Sequence, residues 1–297
     1  MANLKVLKSR IKSVKSTQKI TKAMKMVAAS RLKKAKNAVE ASRPYAENIR
    51  QMAANLASNI SEKGSLNEKF PLLTGRNEEK SHLLIVLSSD RGLCGGLNSA
   101  TVRFAKNRIN KLTGEGKKIS IICIGKKGYE QLKSNYHNKI IDHIFGVFKN
   151  HIDYKISQDL AISLVERFDK NEFDVCEIIY SKFKSAIAQE PVLQKIIPAN
   201  INLETSELVS GGDMPISYEP SQELVLEDLL PKNIAVQIYK SLLENSASEQ
   251  GARMAAMEAA STNANKMIKN LTLVYNRTRQ ANITRELIDI VSGANAV

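Results

Sequence analysis

The sequence predicts an α/β protein: a central, mostly parallel sheet domain inserted between long N- and C-terminal helices that pair as an antiparallel, left-handed coiled coil. Three observations carry this. Of the eight Tyr and seven Phe, most fall between His82 and Tyr218, whereas residues 1–69 hold only Tyr45 and residues 221–297 only Tyr239 and Tyr275. Glycine is absent before Gly64, and only Gly251 lies between Gly212 and Gly293. Glycine is costly inside helices and aromatic side chains concentrate in thick cores, so the ends read as helices and the middle as a compact domain. Finally, apolar residues at both ends recur at alternating steps of three and four, the 3.5-residue repeat of a seam for a partner helix.

The chain divides at 1–62 (N-terminal coiled-coil helix), 63–81 (linker), 82–200 (central α/β domain), 201–220 (connection or foot) and 221–297 (C-terminal coiled-coil helix). In the first helix Leu4, Leu7, Ile11 and Val14 start a seam. A second register runs from Leu32 through Ala35, Val39, Ser42, Ala46, Ile49, Ala53 and Leu56 to Ile60. Between them Ile20, Met24 and Val27 carry the stripe, which predicts a break in supercoil, and Pro44 predicts a kink or an unpaired carbonyl one turn earlier. At 1.5 Å rise per residue such a helix is a rod of roughly 85 Å. The last helix is expected to begin at Pro231, a residue suited to a first helical position, with a seam of Met257, Ala260, Ala264, Met267, Leu271, Val274, Thr278 and Ala281. Small residues and Met on both seams imply close packing without the grip of a leucine zipper.

In the middle, HLLIVLSS (82–89), KISIICIG (118–125), KIIDHIF (139–145), DVCEIIYSKF (174–183) and PVLQKIIPA (191–199) read as strands. Residues 99–113, 128–134 and 154–168 read as helices. Alternation at this spacing implies a Rossmann-like, mostly parallel sheet covered on both faces.

Charge is concentrated at one end. The formal net charge is +14, and residues 1–36 hold ten Lys, two Arg and no acid. On a helix, such a run is compatible with a solvated or protein-facing surface, with nucleic acid, or with a membrane surface. It lacks interleaved aromatics for base stacking, and its apolar face lacks Trp and Phe. The start has no apolar core of a secretory signal, and its excess of Lys over Arg argues against an organelle transit peptide. No apolar run approaches the ~20 residues needed to cross a bilayer. Three widely spaced Cys form neither a disulfide framework nor a metal knuckle, and a reducing compartment is the simplest expectation.

Candidate chemistry is sparse. SSDRGLCGGLN (88–98) follows the first strand, where a doubly wound sheet often binds phosphate, but it matches neither GxGxxG nor the P-loop, and a structural turn is favoured. His82, His137, His143 and His151 share no metal-ligand spacing, and no local signature of nucleophilic catalysis is present. The expectation is no active site, no cofactor and no metal in this chain.

Three segments nevertheless form a pattern: KSRIKSVKSTQKITKAMKMVAASRLKKAK near the start, SSDRGLCGGLN after the first strand, and SEQGARMAAMEAASTNA with LVYNRTRQANITRELIDIVSGANAV at the end. Together, and in this order, they resemble the γ-subunit family of F-type ATP synthases, with residues 114–220 alike only in general pattern. The resemblance implies a non-catalytic rotor subunit, one copy per complex. Its terminal helices stand inside a ring of three α and three β subunits, and its α/β domain sits at the base beside the ε subunit and the membrane c ring. Such a stalk couples proton flow to ATP synthesis or hydrolysis. It has no nucleic-acid partner and is held at a bacterial inner membrane, on the cytoplasmic side, only through the complex.

By matching motifs, Met24, Arg253, Gln280, Thr284 and Glu286 resemble family residues that face a mobile loop of the β subunit, although coiled-coil packing serves equally well for Met24. Tyr218 and Glu219 resemble the foot that meets the c ring. The basic collar is expected to face acidic loops of the ring. The absence of an inserted Cys pair and of a long extension before the first helix points to the bacterial type.

Overall fold

The computed structural model describes residues 4–61, 69–76, 78–149, 152–199, 219 and 221–294. In chain order these form α1 (Leu4–Ser61), α2 (Pro71–Thr74), β1 (Ser81–Leu87), α3 (Leu97–Gly114), β2 (Lys118–Ile124), α4 (Lys126–Tyr136), a 3-10 turn (His137–Lys139), β3 (Ile140–Ile144), α5 (Tyr154–Asp169), β4 (Val175–Phe183), β5 (Gln189–Ile197) and α6 (Gln222–Ala294). They divide into two compact units, one of residues 31–252 and one of residues 1–30 with 253–297.

The larger unit is built on a sheet of order β3-β2-β1-β4-β5. β1 pairs parallel with β2 and with β4, and β2 pairs parallel with β3. Only β4–β5 is antiparallel, because residues 184–188 are too short a link for a parallel crossover and close a hairpin instead. The run HLLIVL is continuous rather than alternating because β1 is covered on both faces. Leu83, Ile85 and Leu87 pack with Leu160, Leu164 and Phe168 of α5 and with Ile234, Ile238 and Leu242 of α6. Leu84 and Val86 pack with Val102, Ala105 and Ile109 of α3 and Leu132 of α4.

α1 and α6 enter this unit as neighbours. Ala53 and Leu56 share a buried cluster with Leu226, Leu229 and Leu230, and Phe70, in the stretch expected to be a bare linker, closes it. This cluster explains why Pro231 is not the helix start. α6 begins at Gln222 and runs through Pro231. A proline inside a helix costs about 3 kcal/mol, while burying a leucine side chain contributes roughly 1.5–3 kcal/mol, and three leucines immediately precede it. α1 likewise continues through Pro44, beside which the Glu40 carbonyl, on an exposed residue, is left to water.

In the smaller unit the helices pair antiparallel. Gln18 Nε2 donates to Asn265 Oδ1 at 2.6 Å, and Lys25 forms an ion pair with Glu258, so seven residues forward on α1 correspond to seven back on α6. The break in register expected around residue 20 does not occur. Ile20 and Val27 are 57% and 54% exposed, whereas Thr21 and Ala28 are buried. Leu7, Val14, Thr21 and Ala28 stand seven apart, and with Gln18 and Lys25 as members the steps of four and three continue unbroken from Leu4 to Leu56. Polar residues at three successive seam positions, Gln18, Thr21 and Lys25, disguised the repeat. A similar correction applies to α6, where Met267 and Val274 are 52% and 49% exposed and the neighbouring Ile268 and Tyr275 are half-buried in their place.

Candidate functional site

The glycine-rich turn is occupied with its own hydrogen bonds. Ser88 Oγ accepts from Gly128 N at 2.8 Å and donates to Gly125 O at 3.0 Å. Ser89 O accepts from Lys127 N, and Asp90 Oδ1 accepts from Lys126 N at 3.2 Å. Three successive N–H groups at the start of α4, the kind of donors that hold a phosphate elsewhere, are therefore capped by residues 88–90. The Asp90 carboxylate also accepts from Gly146 N and Phe148 N, tying the loop after β3 to the same point. Asn98 closes the turn from the other side, receiving Ser89 N and donating to Ser89 Oγ at 2.7 Å.

Two glycines are required by this arrangement. A Cβ on Gly125, whose φ is +99°, would lie 2.2 Å from Ser88 O, and one on Gly128 would lie 2.6 Å from Ser88 Oγ. The turn serves as a helix cap.

Other ionisable groups in the sheet unit are structural in their geometry. Arg108 Nε donates to Glu177 Oε2 at 2.8 Å in a two-point ion pair, whose hydrogen bond holds the guanidinium pKa above its usual value. His82, beside them on β1, is buried with neither ring nitrogen hydrogen-bonded, and burial pushes its pKa down. His143 is exposed and stacks on Tyr129. Burial pushes the Cys123 thiol up to about 12 and raises Cys176 as well, the opposite of an activated thiolate. Among the described residues no group of three or more His, Cys, Asp or Glu could hold a metal ion.

The residues singled out on the helices are distributed along the rod. Met24 is half-buried and adjoins the Lys25–Glu258 level, and Arg253 is 8% exposed. Gln280, Thr284 and Glu286 are exposed on the last part of α6. At 1.5 Å per residue Gln280 lies about 40 Å along the helix from Arg253, so they are separate surfaces. Glu219 is exposed, and Tyr218 lies outside the described residues.

Sequence reading passed over one feature. The register that pairs Lys25 with Glu258 brings Leu4 level with Arg279, so the end of α6 extends past the described part of α1. There Ile283, Leu287, Ile288, Ile290 and Val291 are 48–67% exposed. Steps of four and three from Ile283 through Leu287 to Ile290 were the available signal. The basic face of α1 is a second ordered feature: Lys8, Lys12, Lys15, Lys19 and Lys22 are exposed at steps of four and three, a stripe that keeps pace with the seam. No helix among the described residues is long and apolar enough to cross a membrane.

A family model described as ATP synthase matches residues 3–297. The ATP synthase gamma chain of Azorhizobium caulinodans is 48% identical over 298 residues, and that of Pelagibacter ubique 50% over 299, each alignment covering 100% of both chains. Among solved structures, a chain of the central stalk and c ring of the Tetrahymena thermophila mitochondrial ATP synthase aligns with a TM-score of 0.60 at 27% identity. It covers 82% of this chain and 99% of that one. A chain of the Euglena gracilis mitochondrial enzyme shares the fold, with a TM-score of 0.64 at 19% identity, over 99% of this chain and 94% of that one. A mixed five-stranded sheet carried between two long terminal helices is thus the architecture of a rotary central stalk. The chain belongs to the ATP synthase family, as one of its gamma chains.

Proposed function

We infer that the chain is the central rotor stalk of a proton-translocating F-type ATP synthase, carrying torque between the membrane c ring and the catalytic ring of α and β subunits. The observation that supports this best is the paired part of α1 and α6. Its unbroken 3.5-residue seam is cross-linked by polar contacts at Gln18 and Lys25, and α6 continues beyond it into an exposed apolar tip. Two helices locked in register resist sliding when one end is turned, and a contiguous apolar surface at a helix end calls for an enclosing partner.

The shaft is asymmetric, with lysines at 8, 12, 15, 19 and 22 on one face. In a ring of near-threefold symmetry it presents a different surface to each β subunit. Sites that differ in their contacts with the shaft differ in nucleotide affinity. Since coupling free energy is reciprocal, turning the shaft drives product release and hydrolysis drives the shaft backward.

Within this reading Met24, Arg253, Gln280, Thr284 and Glu286 meet the β subunits, and Tyr218 and Glu219 belong to the foot at the c ring, with the ε subunit alongside. Polar side chains on an otherwise small-residue shaft suit hydrogen bonds that form at one angle and break at the next. The chain contributes no catalytic group. It is held peripherally on the cytoplasmic side of a bacterial inner membrane, one copy per complex.

Affinity capture of the tagged chain from detergent-solubilised membranes tests the assignment. Recovery of α and β subunits in equal amounts, at three of each per copy of this chain, with ε and c present, is expected. Recovery of the chain alone or with nucleic acid refutes it.

A further inference from the structure

Strand β4 runs on past the end of its pairing with β1. The last pair of that ladder is Val86 with Ile179, so Ser181 projects beyond it. On its other side Ser181 stands opposite Pro191 of β5, which has no N–H to donate. Buried backbone groups have to be matched, and here two helices match them. Ser181 N donates to Asn245 Oδ1 at 3.3 Å, and Ser248 Oγ donates to Ser181 O at 2.7 Å, both partners lying on α6. The Ser181 hydroxyl shares a third hydrogen bond, of 2.9 Å, with Thr101 Oγ1 of α3. Ser181, Thr101, Asn245 and Ser248 are all buried.

One turn later α6 comes close to the end of the same strand. A Cβ on Gly251 would lie 2.9 Å from Phe183 Cε2 and 3.4 Å from Ala186 Cα. Ala252 packs with Cys94 and Leu97. Earlier in α6 the contact with the sheet is of another kind. Ile234, Ile238 and Leu242 cluster with Leu83, Ile85 and Leu87, and Gln194 Nε2 donates to Gln237 Oε1. Apolar contacts are non-directional, and a bond between two glutamines joins long side chains that can follow a movement. Such contacts hold a helix near a sheet without fixing its rotation about its own axis.

Asn245 and Ser248 differ in that short side chains grip main-chain atoms of a strand. Turning α6 by roughly 20° carries a side-chain atom roughly 4 Å from the helix axis through about 1.4 Å, more than a normal hydrogen bond tolerates. Ser248 also lies only five residues before Arg253, where α6 leaves the sheet unit.

We propose that Asn245 and Ser248 are positioning residues that key α6 to the end of β4 against axial rotation, so that torque on the sheet unit passes into residues 253–294 of the same helix instead of turning the helix in its seat. This rests on the stalk reading and names the contact through which the sheet unit grips the shaft. Thr101 bonds the same serine from α3, and it steadies β4 without holding α6.

Single-molecule recording of the assembled complex, held by its β subunits and carrying a probe at Asn107 on α3, tests this. In the absence of nucleotide, Asn245→Leu with Ser248→Ala is expected to widen the angular variance of the probe at least twofold, and Ser248→Ala alone to widen it by less. Thr101→Val removes a buried hydrogen bond to the same serine and is expected to leave the variance at the wild-type value, although it lowers the melting temperature as the other variants do. If the double variant fails to assemble, Ser248→Ala decides. Unchanged variance in the α6 variants, in a complex whose wild type rotates on ATP, overturns the key and leaves the stalk reading standing. Equal widening by Thr101→Val marks general loosening of the sheet unit and overturns the key as well. A wild-type chain that enters no rotating complex defeats the stalk reading and the key with it.

Discussion

Replacing Gly128 by alanine tests whether the glycine-rich turn is a helix cap or a ligand cradle. Gly128 is the third residue of α4, where helix propensity alone favours alanine by about 1 kcal/mol. The packing opposes it. The new Cβ lies 2.6 Å from Ser88 Oγ and 2.8 Å from Ser88 Cβ. Ser88 is buried and cannot swing aside, since its backbone N–H donates to Ile124 O at 2.8 Å and its hydroxyl receives Gly128 N. Overpacking a filled site costs about 1–3 kcal/mol, and losing the cap a further ~1 kcal/mol. After subtracting the propensity gain, a net destabilisation of about 1–3 kcal/mol is expected. The assay is urea unfolding of the full chain, followed by exposure of the buried thiols on β2 and β4, which report the sheet unit. Ser88→Gly supplies the second edge of a double-mutant cycle. Alone it costs about 1 kcal/mol as a lost cap, and in its presence Gly128→Ala becomes neutral or stabilising. If Gly128→Ala stabilises the wild-type background as much as the Ser88→Gly background, the turn does not press on Gly128 and the capping account fails.

Other consequences can be measured on the rod. Gln18→Leu combined with Lys25→Leu is expected to raise the melting temperature, since polar seam residues give up stability for register, while electron spin label distances between the helices broaden. A single sharp distance would show that the polar pairs do not set register. Met24→Lys places a charge beside the Lys25–Glu258 level and is expected to lower protons pumped per ATP hydrolysed in vesicles; an unchanged ratio removes its role at the β subunit. Reversing Lys33, Lys34 and Lys36 together is expected to weaken assembly at low salt more than at high salt, and equal assembly at both excludes a charged collar.

Glu244 has a folded pKa raised chiefly by burial, against Lys240, Lys182 and Arg43. The folded state therefore holds its proton more tightly. The resulting contribution is fully present below the unfolded value near 4.5 and is lost as pH rises through the folded value. His82, whose pKa is lowered by burial, acts in the opposite sense, with its contribution present above about 6.5 and lost as pH falls toward its folded value. Glu244→Gln is expected to stabilise the protein at neutral pH by about 1 kcal/mol and to leave the His82 limb intact. Urea midpoints at several pH values check both signs.

The difference between what the sequence discloses and what it hides follows from what each signal measures. Strands β1, β2 and β4 were legible because they are buried on both faces, and a run such as HLLIVL has few other places to go. That α6 runs through Pro231 was not legible, although the segment boundary at 221 was, because a proline's local penalty is visible in sequence, whereas the three leucines that outweigh it matter only against Ala53 and Leu56, far away in the chain. The seam shows the same principle in reverse. Following hydrophobicity picks Ile20, Val27, Met267 and Val274, all of them exposed, while strict spacing picks Gln18, Thr21, Lys25 and Ala28. Close helix packing favours small side chains and tolerates polar ones that find partners across the pair, so the period identified the seam better than the apolar character of its residues. The glycine-rich turn has a plain local signal, yet its meaning rests on Ser88 meeting Gly125 and Gly128 some forty residues later. The unmatched Asn233 Nδ2 and Glu244 Oε2 leave no local trace, because they are defined by what the elements packed around them fail to supply. An unmet hydrogen bond is a property of the assembled fold. Such atoms are therefore found by accounting for the buried donors and acceptors of the structure rather than by motif.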